Sequence, residues 1–399
     1  MSQEFVINVV SGQGGGGHAA TCLALRAAAK EQQLPWKFQV TDMDEIITDL
    51  SQAGQVKNAY EMFGFSGHDL YNKMVKGGWT WLWPLKMRLN KWLVKLNYDV
   101  GVRAFESHWR RQKPDVVVSV MPLYNKGLWE SLQRAHPGTP YVTVMTDFAD
   151  CPPSFWFEPE IGTQWFCGTQ RAIEQARSLD ISTSRLTPSS GLVIHPQFYT
   201  HSSLSPAERA HQRQQLGLVA DRPTAIVMFG GNGSQEMLKI AKQLEKFQDT
   251  LQLIFICGHA QALAEQLKAY AGPQRRAVVG FADNMANYMS LSDFFIGKPG
   301  NVSVSEALAM RLPIITACNF ATMSQERYCA EWLLEQQVGI VVSSFQKVDK
   351  AVTQLLQPAV FEQYRANLHK FDNQAVFEVI DYLKTVLSKI EKIPVSANI

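Results

Sequence analysis

The chain has 399 residues, of which 46% are hydrophobic and 19% are charged, and its formal net charge is +2. This composition excludes a disordered chain, and the near-neutral charge says little about partners. The length predicts two domains, each large enough to bury its own core.

The six cysteines are dispersed, with no CxxC pair and no metal-ligand spacing, which favours a reducing, cytosolic setting. The first residues, MSQEF, lack the basic-then-apolar layout of a signal peptide. No apolar run approaches the ~20 residues that span a bilayer. We therefore expect a cytoplasmic protein that meets a membrane, if at all, from the inner face and without crossing it.

Short apolar runs alternate with helical patterns along most of the chain, which predicts an α/β architecture with parallel sheets. In the N-terminal half the predicted strands lie near 5–10, 37–41, 115–120, 141–146 and 163–167, and the helices near 18–33, 126–135 and 169–178. Beyond a Ser- and Pro-rich linker near 196–206, strands are predicted near 224–229, 251–257, 276–280, 293–297, 313–317 and 339–342. The helices of that half are predicted near 235–247, 260–271, 303–310, 324–336 and 347–356.

This pattern predicts two Rossmann-like domains, residues 1–200 and 201–373, with a cleft between the carboxyl ends of their strands. The last segment, 374–399, contains a helical pattern with one apolar face, which must pack on something. We expect this helix to pack back across the cleft.

The first predicted strand runs into a glycine loop, residues 11–18 (SGQGGGGH), and a helix follows. Consecutive glycines let the backbone approach a ligand, and a helix N-terminus attracts anions. His18 closes the loop, where an imidazole is suited to proton transfer. A substrate or phosphate site, a dinucleotide site (a GxGxxG match begins at Gly12) and a purely structural turn are the three interpretations.

Residues 71–113, the basic–aromatic segment, interrupt the α/β pattern with ten Lys or Arg against two acids and with five of the ten tryptophans. A helix there would place Trp92 on an apolar face and cations on the other, as in helices that lie in a membrane interface. The predicted membrane residues are Trp79, Trp81, Trp83, Arg88, Lys91, Trp92 and Lys95. The alternative is a helix whose apolar face packs on its own domain. A nucleic-acid partner is not expected, because no binding motif accompanies the charges.

A second glycine loop, residues 230–234 (GGNGS), again lies between a predicted strand and a helix. Ser234 could cap that helix or donate to a phosphate oxygen. Farther on, Glu306 is predicted near the first turn of a helix, where its carboxylate could accept two hydrogen bonds from a ribose. The alternative for Glu306 is a favourable interaction with the helix dipole. Two such loops indicate a substrate on each side of the cleft.

In this order, several segments resemble the monogalactosyldiacylglycerol synthase and processive diacylglycerol glucosyltransferase family. They are GGGHA at 15–19, PDVVVS at 114–119, VMTDF at 144–148, GG at 230–231, GF at 280–281, KPG at 298–300, SEA at 305–307 and QE at 325–326. The second half is also similar to the peptidoglycan N-acetylglucosaminyltransferase. The chain departs from the family at residues 299–303 (PGNVS), where Gly-Pro-Gly-Thr or similar is usual, and in detail in the GGNGS loop. It also departs at Met323-Ser324, where Pro-Gly is usual.

The resemblance implies a GT-B fold and an inverting, metal-independent transfer of a hexose from a UDP-sugar to a diacylglycerol-type lipid. It implies that His18 is the base and that Glu306 binds ribose. The other implied donor contacts are Gly230, Gly231, Asn232, Gly233, Ser234, Phe281, Gly300, Gln325 and Glu326, and the implied acceptor loop is Gly15, Gly16 and Gly17. Asp147 is a candidate to orient the imidazole or the acceptor.

The expected partners are therefore UDP-glucose or UDP-galactose, a lipid acceptor and an anionic membrane surface, with no metal. The chain has one DxD, Asp42-Met43-Asp44, which would hold a metal in other transferases but is better interpreted as a polar strand end. Four alternatives stay open: a transferase with a different acceptor, a UDP-sugar epimerase, an NAD-dependent oxidoreductase, and a catalytically inactive sugar-binding or membrane-docking protein.

Overall fold

A computed structural model gives the architecture of the chain. It describes residues 4–12, 16–43, 46, 88, 91–92, 94–151, 154–200 and 204–390. All structural statements below concern these residues.

The first half is built on a six-stranded parallel sheet in the order β2-β1-β3-β4-β5-β6. Its strands are β1 (Phe5–Ser11), β2 (Trp36–Asp42), β3 (Val116–Ser119), β4 (Tyr141–Val144), β5 (Gln164–Cys167) and β6 (Leu186–Pro188). Its helices are α1 (Gly16–Glu31), α2 (Tyr98–Gln112), α3 (Asn125–Ala135), α4 (Gln170–Arg177) and the short α5 (Gln197–Thr200). The central strands β3 and β4 are buried along their whole length, which explains why they appear in the sequence as continuous apolar runs.

The second half repeats the plan with a parallel sheet in the order β12-β11-β10-β7-β8-β9. Its strands are β7 (Thr224–Met228), β8 (Gln252–Ile256), β9 (Arg276–Val279), β10 (Phe294–Gly297), β11 (Ile314–Ala317) and β12 (Gly339–Val342). Its helices are α6 (Pro206–Gln215), α7 (Glu236–Gln243), α8 (Gln261–Ala269), α9 (Met285–Ser290), α10 (Asn301–Ala309), α11 (Ser324–Glu335), α12 (Val348–Leu355) and α13 (Pro358–Leu368). A last helix, α14 (Ala375–Leu387), ends the described chain.

The predicted fold class, α/β with two Rossmann-like halves, is confirmed, and the predicted strands lie within a few residues of the observed ones. The sequence analysis did not predict the strand β6 or the helices α2, α6, α9 and α13. Pro358 is the first residue of α13, where the helix does not need its missing N–H. A proline at this position is a sequence feature from which the start of α13 could have been predicted. The predicted linker near 196–206 is wrong in part, because it contains α5.

Two helices beside the cleft begin earlier than predicted. The helix α1 starts at Gly16 rather than 18, because its first turn packs against α10 and this contact outweighs the low helix propensity of glycine. The helix α10 starts at Asn301 rather than 303, after Gly300 leaves the chain in an extended conformation. Both shifts change where the candidate site residues lie.

The helix α14 returns to the first half of the molecule. Its residues Val376, Ile380, Leu383 and Leu387 are buried in the apolar cluster formed by α1 and the first sheet. The crossing itself is tied by Asn373 Nδ2, which donates to the Leu192 carbonyl at 2.9 Å, and by the Gln374 N–H, which donates to Ser190 Oγ at 2.6 Å. The C-terminal helix therefore completes the core of the N-terminal half.

A second apolar cluster joins the two halves. Phe148 and Ile194, from the first half, are buried together with residues of β7, β10 and α10. The Phe148 ring packs edge-on against Trp332 of α11, with ring centroids 5.2 Å apart. Phe148 directly follows Asp147, so this contact fixes the two halves against each other beside a predicted site residue.

We expect Ile380→Ala to lower the free energy of unfolding by about 2–5 kcal/mol, because it leaves a cavity at a fully buried position between α14 and the first sheet. Urea unfolding measures this change. The matched control is Lys384→Ala on the same helix, whose side chain is 40% exposed in an i,i+3 pair with Asp381 and should cost less than about 1 kcal/mol. Equal losses in the two variants would contradict the packing described for α14.

Candidate active site

The predicted site residues of both halves lie at the carboxyl ends of the parallel strands, where ligands of such sheets bind. His18 follows β1, Asp147 follows β4, and Asn301 follows β10. The first turns of α1 and α10 are in contact, since a Cβ on Gly17 would lie 3.4 Å from Val302 Cγ2. The two edges therefore meet at one cleft.

His18 is the third residue of α1 and is partly buried. Its Nδ1 lies 3.4 Å from Thr146 Oγ1. Gly16 has open space where a Cβ would be, and Gly15 lies outside the described residues. The contact at Nδ1 constrains the orientation of the imidazole ring.

Asp147 is buried and accepts two short hydrogen bonds, from Trp156 Nε1 at 2.8 Å and from Asn301 Nδ2 at 2.6 Å. Burial raises the pKa of this carboxyl to about 7, although both hydrogen bonds act in the opposite direction. Thr146, and not Asp147, makes the hydrogen bond described at His18 Nδ1. Of the two described bonds of Asp147, the one from Trp156 stays within the first half and the one from Asn301 crosses the cleft to the second half.

Trp156 is held in place by the neighbouring carboxylate. Asp150 accepts backbone N–H groups from Ser154, Phe155 and Trp156 at 2.7–2.9 Å. Burial raises the pKa of Asp150, and these N–H groups oppose that shift. The loop that presents Trp156 to Asp147 is therefore ordered by a second buried carboxylate. Apart from the two aspartates themselves, no sequence motif predicts these hydrogen bonds.

The second glycine loop turns sharply between β7 and α7. Gly230 and Gly233 have φ of +71° and +58°, which glycine adopts without strain. Ser234 Oγ accepts the Glu236 N–H at 3.3 Å, so in this structure it caps the start of α7. Gly231 and Asn232 are exposed. The loop thus presents an open glycine turn ahead of a helix N-terminus.

An exposed aromatic surface lies beside this loop. The Phe281 side chain is 60% exposed and stacks on His259, with ring centroids 4.5 Å apart and an interplanar angle of 20°. The His259 N–H donates to the Gly231 carbonyl at 2.8 Å, which ties the aromatic pair to the glycine loop. Sequence reasoning singled out Phe281 and missed His259.

Glu306 lies in the second turn of α10, not near the first turn as predicted, because the helix begins at Asn301. The helix-dipole interpretation is weakened, since that interaction is confined to the first turn. Burial raises the pKa of Glu306 to about 8. No hydrogen bond to its carboxyl group is described among the residues that the structure covers. The carboxyl is therefore available to a ligand.

Gln325 and Glu326 begin α11 beside Asn301. Glu326 forms an ion pair with Lys298, with Nζ 2.6 Å from Oε1, and the Gln325 carbonyl lies 3.4 Å from Asn301 Nδ2. Within the described residues, three buried polar atoms here have no hydrogen-bond partner: Asn301 Oδ1, Ser324 Oγ and Gln325 Oε1. Buried acceptors are rarely left unsatisfied in proteins. These three atoms therefore indicate a candidate ligand-binding position.

The basic–aromatic segment is described only in part, because Trp79, Trp81 and Trp83 lie outside the described residues. Residues 91–92 and 94–96 are helical. Trp92 is 58% exposed and Leu96 is 65% exposed, so neither side chain is buried in the first half. Arg88 and Lys95 are exposed as well. Lys91 differs from these two cations because it is partly buried. Burial raises the pKa of Asp150 and of Glu158, and the charge of Lys91 opposes both shifts.

None of the described helices is long and apolar enough to cross a membrane. Asp42 ends β2, as predicted for a polar strand end, and Asp44 lies outside the described residues.

Known proteins resemble both halves of the chain. Residues 18–194 match the family model of monogalactosyldiacylglycerol (MGDG) synthase, and residues 225–380 match the glycosyltransferase family 28 C-terminal domain. The chloroplastic MGDG synthase 2 of Arabidopsis thaliana is 26% identical over 92% of this chain and 77% of its own length. A probable chloroplastic MGDG synthase 3 of Oryza sativa subsp. japonica is 27% identical over 92% of this chain and 71% of its own.

Solved structures share the architecture. MurG of Acinetobacter baumannii superposes with a TM-score of 0.60 at 13% identity, covering 96% of this chain and 100% of that chain. MnaA of S. aureus, solved with UDP, gives a TM-score of 0.60 at 14% identity, covering 98% and 99%. These likenesses show the fold alone, which is of the GT-B type. The family matches are more specific: residues 18–194 are an MGDG synthase domain and residues 225–380 a family 28 C-terminal domain, so the chain is a glycosyltransferase. The family expected from the sequence is confirmed.

The raised pKa of Glu306 gives a prediction about stability. A carboxyl whose pKa is higher in the folded than in the unfolded protein stabilises the fold below its unfolded pKa, and this stability is lost as the pH rises through about 8. We expect the free energy of unfolding of Glu306→Gln, relative to the natural protein, to rise by roughly 1–3 kcal/mol between pH 5 and pH 8. Urea unfolding at several pH values measures it. Parallel pH dependences of the two proteins would show that the carboxyl titrates normally.

Proposed function

We propose that this protein transfers a hexose from a UDP-sugar, UDP-galactose or UDP-glucose, to a diacylglycerol-type lipid at the inner surface of the cell membrane. The observation that carries the proposal is the meeting, at one cleft, of His18 from the first half with the hydroxyl-accepting groups of the second. The names of the plant relatives add support, because they specify a galactosyl diacylglycerol product.

The donor is assigned to the second half. Glu306 would accept hydrogen bonds from the ribose hydroxyls. Its pKa is raised because the carboxyl is buried. Phe281, stacked on His259, offers an apolar surface to the uracil. The glycine loop, Gly230 to Ser234, and the start of α7 would meet the pyrophosphate. Gln325 and Glu326 would contact the hexose, with Gly300 leaving room at the start of α10.

The reaction would proceed with inversion. The acceptor hydroxyl oxygen attacks the anomeric carbon while the bond to the β-phosphate oxygen of UDP breaks on the opposite side. The His18 imidazole takes the hydroxyl proton, and the contact between Nδ1 and Thr146 holds the ring in orientation. Backbone N–H groups at the second glycine loop would stabilise the charge that develops on the leaving UDP. With that stabilisation, no metal is required in the proposal.

The lipid side is assigned to the first half. Gly16 borders open space beside His18, whereas Gly17 lies against Val302 of α10. Trp92 and Leu96 would enter the membrane interface, and Arg88 and Lys95 would attract an anionic leaflet. All six cysteines are free, which is consistent with a reducing compartment on the inner side of the membrane.

The test is a transfer assay. Purified protein is incubated with vesicles that contain diacylglycerol and with labelled UDP-galactose or UDP-glucose, and the extracted lipids are separated. We expect a labelled glycolipid, and we expect His18→Ala to lower kcat about 10²–10⁴-fold with UDP affinity within a few-fold of the natural protein, because only the general base is lost.

The matched control is His211→Ala, an exposed histidine on α6, which should leave kcat unchanged. Near-normal turnover of His18→Ala would remove His18 from the mechanism. Conversion of free UDP-sugar with no labelled lipid would replace the transferase by an epimerase.

Membrane binding has its own test. We expect the double variant Arg88→Gln/Lys95→Gln to bind anionic vesicles roughly 10- to 30-fold more weakly, since each cation near an anionic leaflet contributes about 1 kcal/mol. Sedimentation with vesicles measures the loss, which should shrink at high salt. The control Lys239→Gln/Lys384→Gln removes the same charge from exposed positions on α7 and α14. If both double variants sediment alike, the basic–aromatic segment is not the membrane contact.

A further inference from the structure

Asn301 is the residue through which the two halves of the cleft are hydrogen-bonded at the candidate site. It is the first residue of α10 and is only 8% exposed. Its Nδ2 donates to Asp147 Oδ1, in the first half, at 2.6 Å and lies 3.4 Å from the Gln325 carbonyl of α11. Both amide hydrogens therefore have acceptors, and the orientation of the amide is determined.

Because Asn301 Nδ2 points toward Asp147 and the Gln325 carbonyl, Asn301 Oδ1 points away from both of these groups. Asn301 Oδ1 is buried and has no hydrogen-bond partner among the described residues. Ser324 Oγ and Gln325 Oε1, at the start of α11, are also buried and have no hydrogen-bond partner among the described residues. Leaving a buried acceptor without a hydrogen bond destabilises the structure, and a bound hydrogen-bond donor would remove that cost.

The chemistry of these atoms selects the kind of ligand. Two of the three are amide oxygens, which accept hydrogen bonds and cannot donate them. A phosphate at neutral pH offers acceptors almost exclusively, so it does not suit them. A sugar presents hydroxyl groups, each able to donate. The acceptors at the starts of α10 and α11 therefore suit the sugar part of a nucleotide-sugar and not its pyrophosphate.

We propose that Asn301 Oδ1 accepts a hydroxyl of the transferred hexose, and that Asp147 determines this by fixing the orientation of the Asn301 amide from across the cleft. The proposal rests on the function proposed above and adds a specificity-determining residue to it. Trp156 Nε1 holds the Asp147 carboxylate in place. Asp147 acts through Asn301 as a positioning residue, so hexose recognition depends on the two halves being closed against each other.

The first test compares two ligands that differ only in the hexose. Calorimetry without lipid acceptor gives the Kd of UDP and of UDP-hexose for the natural protein and for Asn301→Ala. We expect Asn301→Ala to bind UDP-hexose roughly three- to tenfold more weakly, as for the loss of one hydrogen bond, and to bind UDP within about twofold of the natural protein. Equal weakening of both ligands, or of neither, would overturn the proposal.

The second test reverses the amide without removing the bond between the halves. In Asp147→Asn the new amide nitrogen can donate to Asn301, which turns the Asn301 amide so that Nδ2 faces the ligand. Hexose recognition should be lost, with UDP-hexose bound roughly three- to tenfold more weakly and UDP unchanged. The double variant Asp147→Asn/Asn301→Asp restores an acceptor toward the ligand and should recover most of the affinity for UDP-hexose.

A purely structural bond between the halves predicts something different. It would survive in Asp147→Asn, whose affinity for UDP-hexose would then equal that of the natural protein, and this result would overturn the proposal. Natural protein that binds and transfers the hexose, together with an unaffected Asn301→Ala, would refute only the role of Asn301. Natural protein that binds no UDP-hexose would refute both the proposed function and this inference.

Discussion

The hydrogen bond between Asp147 and Asn301 is the constraint on which the candidate active site depends. Asp147 follows a strand of the first sheet, and Asn301 begins a helix of the second, so a 2.6 Å bond between them fixes how far apart the two halves stand. The carboxylate is buried, and its pKa is raised to about 7 in spite of the two hydrogen bonds that it accepts. Hydrogen bonds to a charged group contribute about 1.5–3 kcal/mol, so the titration of Asp147 bears directly on this contact.

Apolar contacts next to the Asp147–Asn301 hydrogen bond also hold the two halves together. Phe148, the residue after Asp147, packs against Trp332 of α11, and α14 returns from the second half to complete the core of the first. The unpartnered acceptor atoms at the starts of α10 and α11 therefore lie in the half opposite His18, at a cleft between two halves that the apolar core packs together. A transferase needs such a cleft, because the attacking hydroxyl and the anomeric carbon must be brought together and water kept away.

Much of the fold could be predicted from the sequence, because fully buried parallel strands such as β3 and β10 appear as apolar runs and the glycine loops mark the strand-to-helix turns. His18 and Glu306 were found through those loops. Asn301 was noticed only as a departure from a family motif, since its partner Asp147 lies 154 residues away in the chain and no local pattern records that contact. Thr146 beside His18 and the Lys298–Glu326 ion pair were missed for the same reason. The start of α10 was placed two residues late, and this moved Glu306 from the first turn to the second.

The most direct test of this account is a crystal structure of the protein with a UDP-hexose. We expect the uracil beside Phe281, the ribose hydroxyls on Glu306, a hexose hydroxyl within about 3.2 Å of Asn301 Oδ1, and the His18 ring facing the anomeric carbon on the side opposite to the UDP. A nucleotide bound instead along the first glycine loop, with the acceptors at the starts of α10 and α11 empty, would contradict the account.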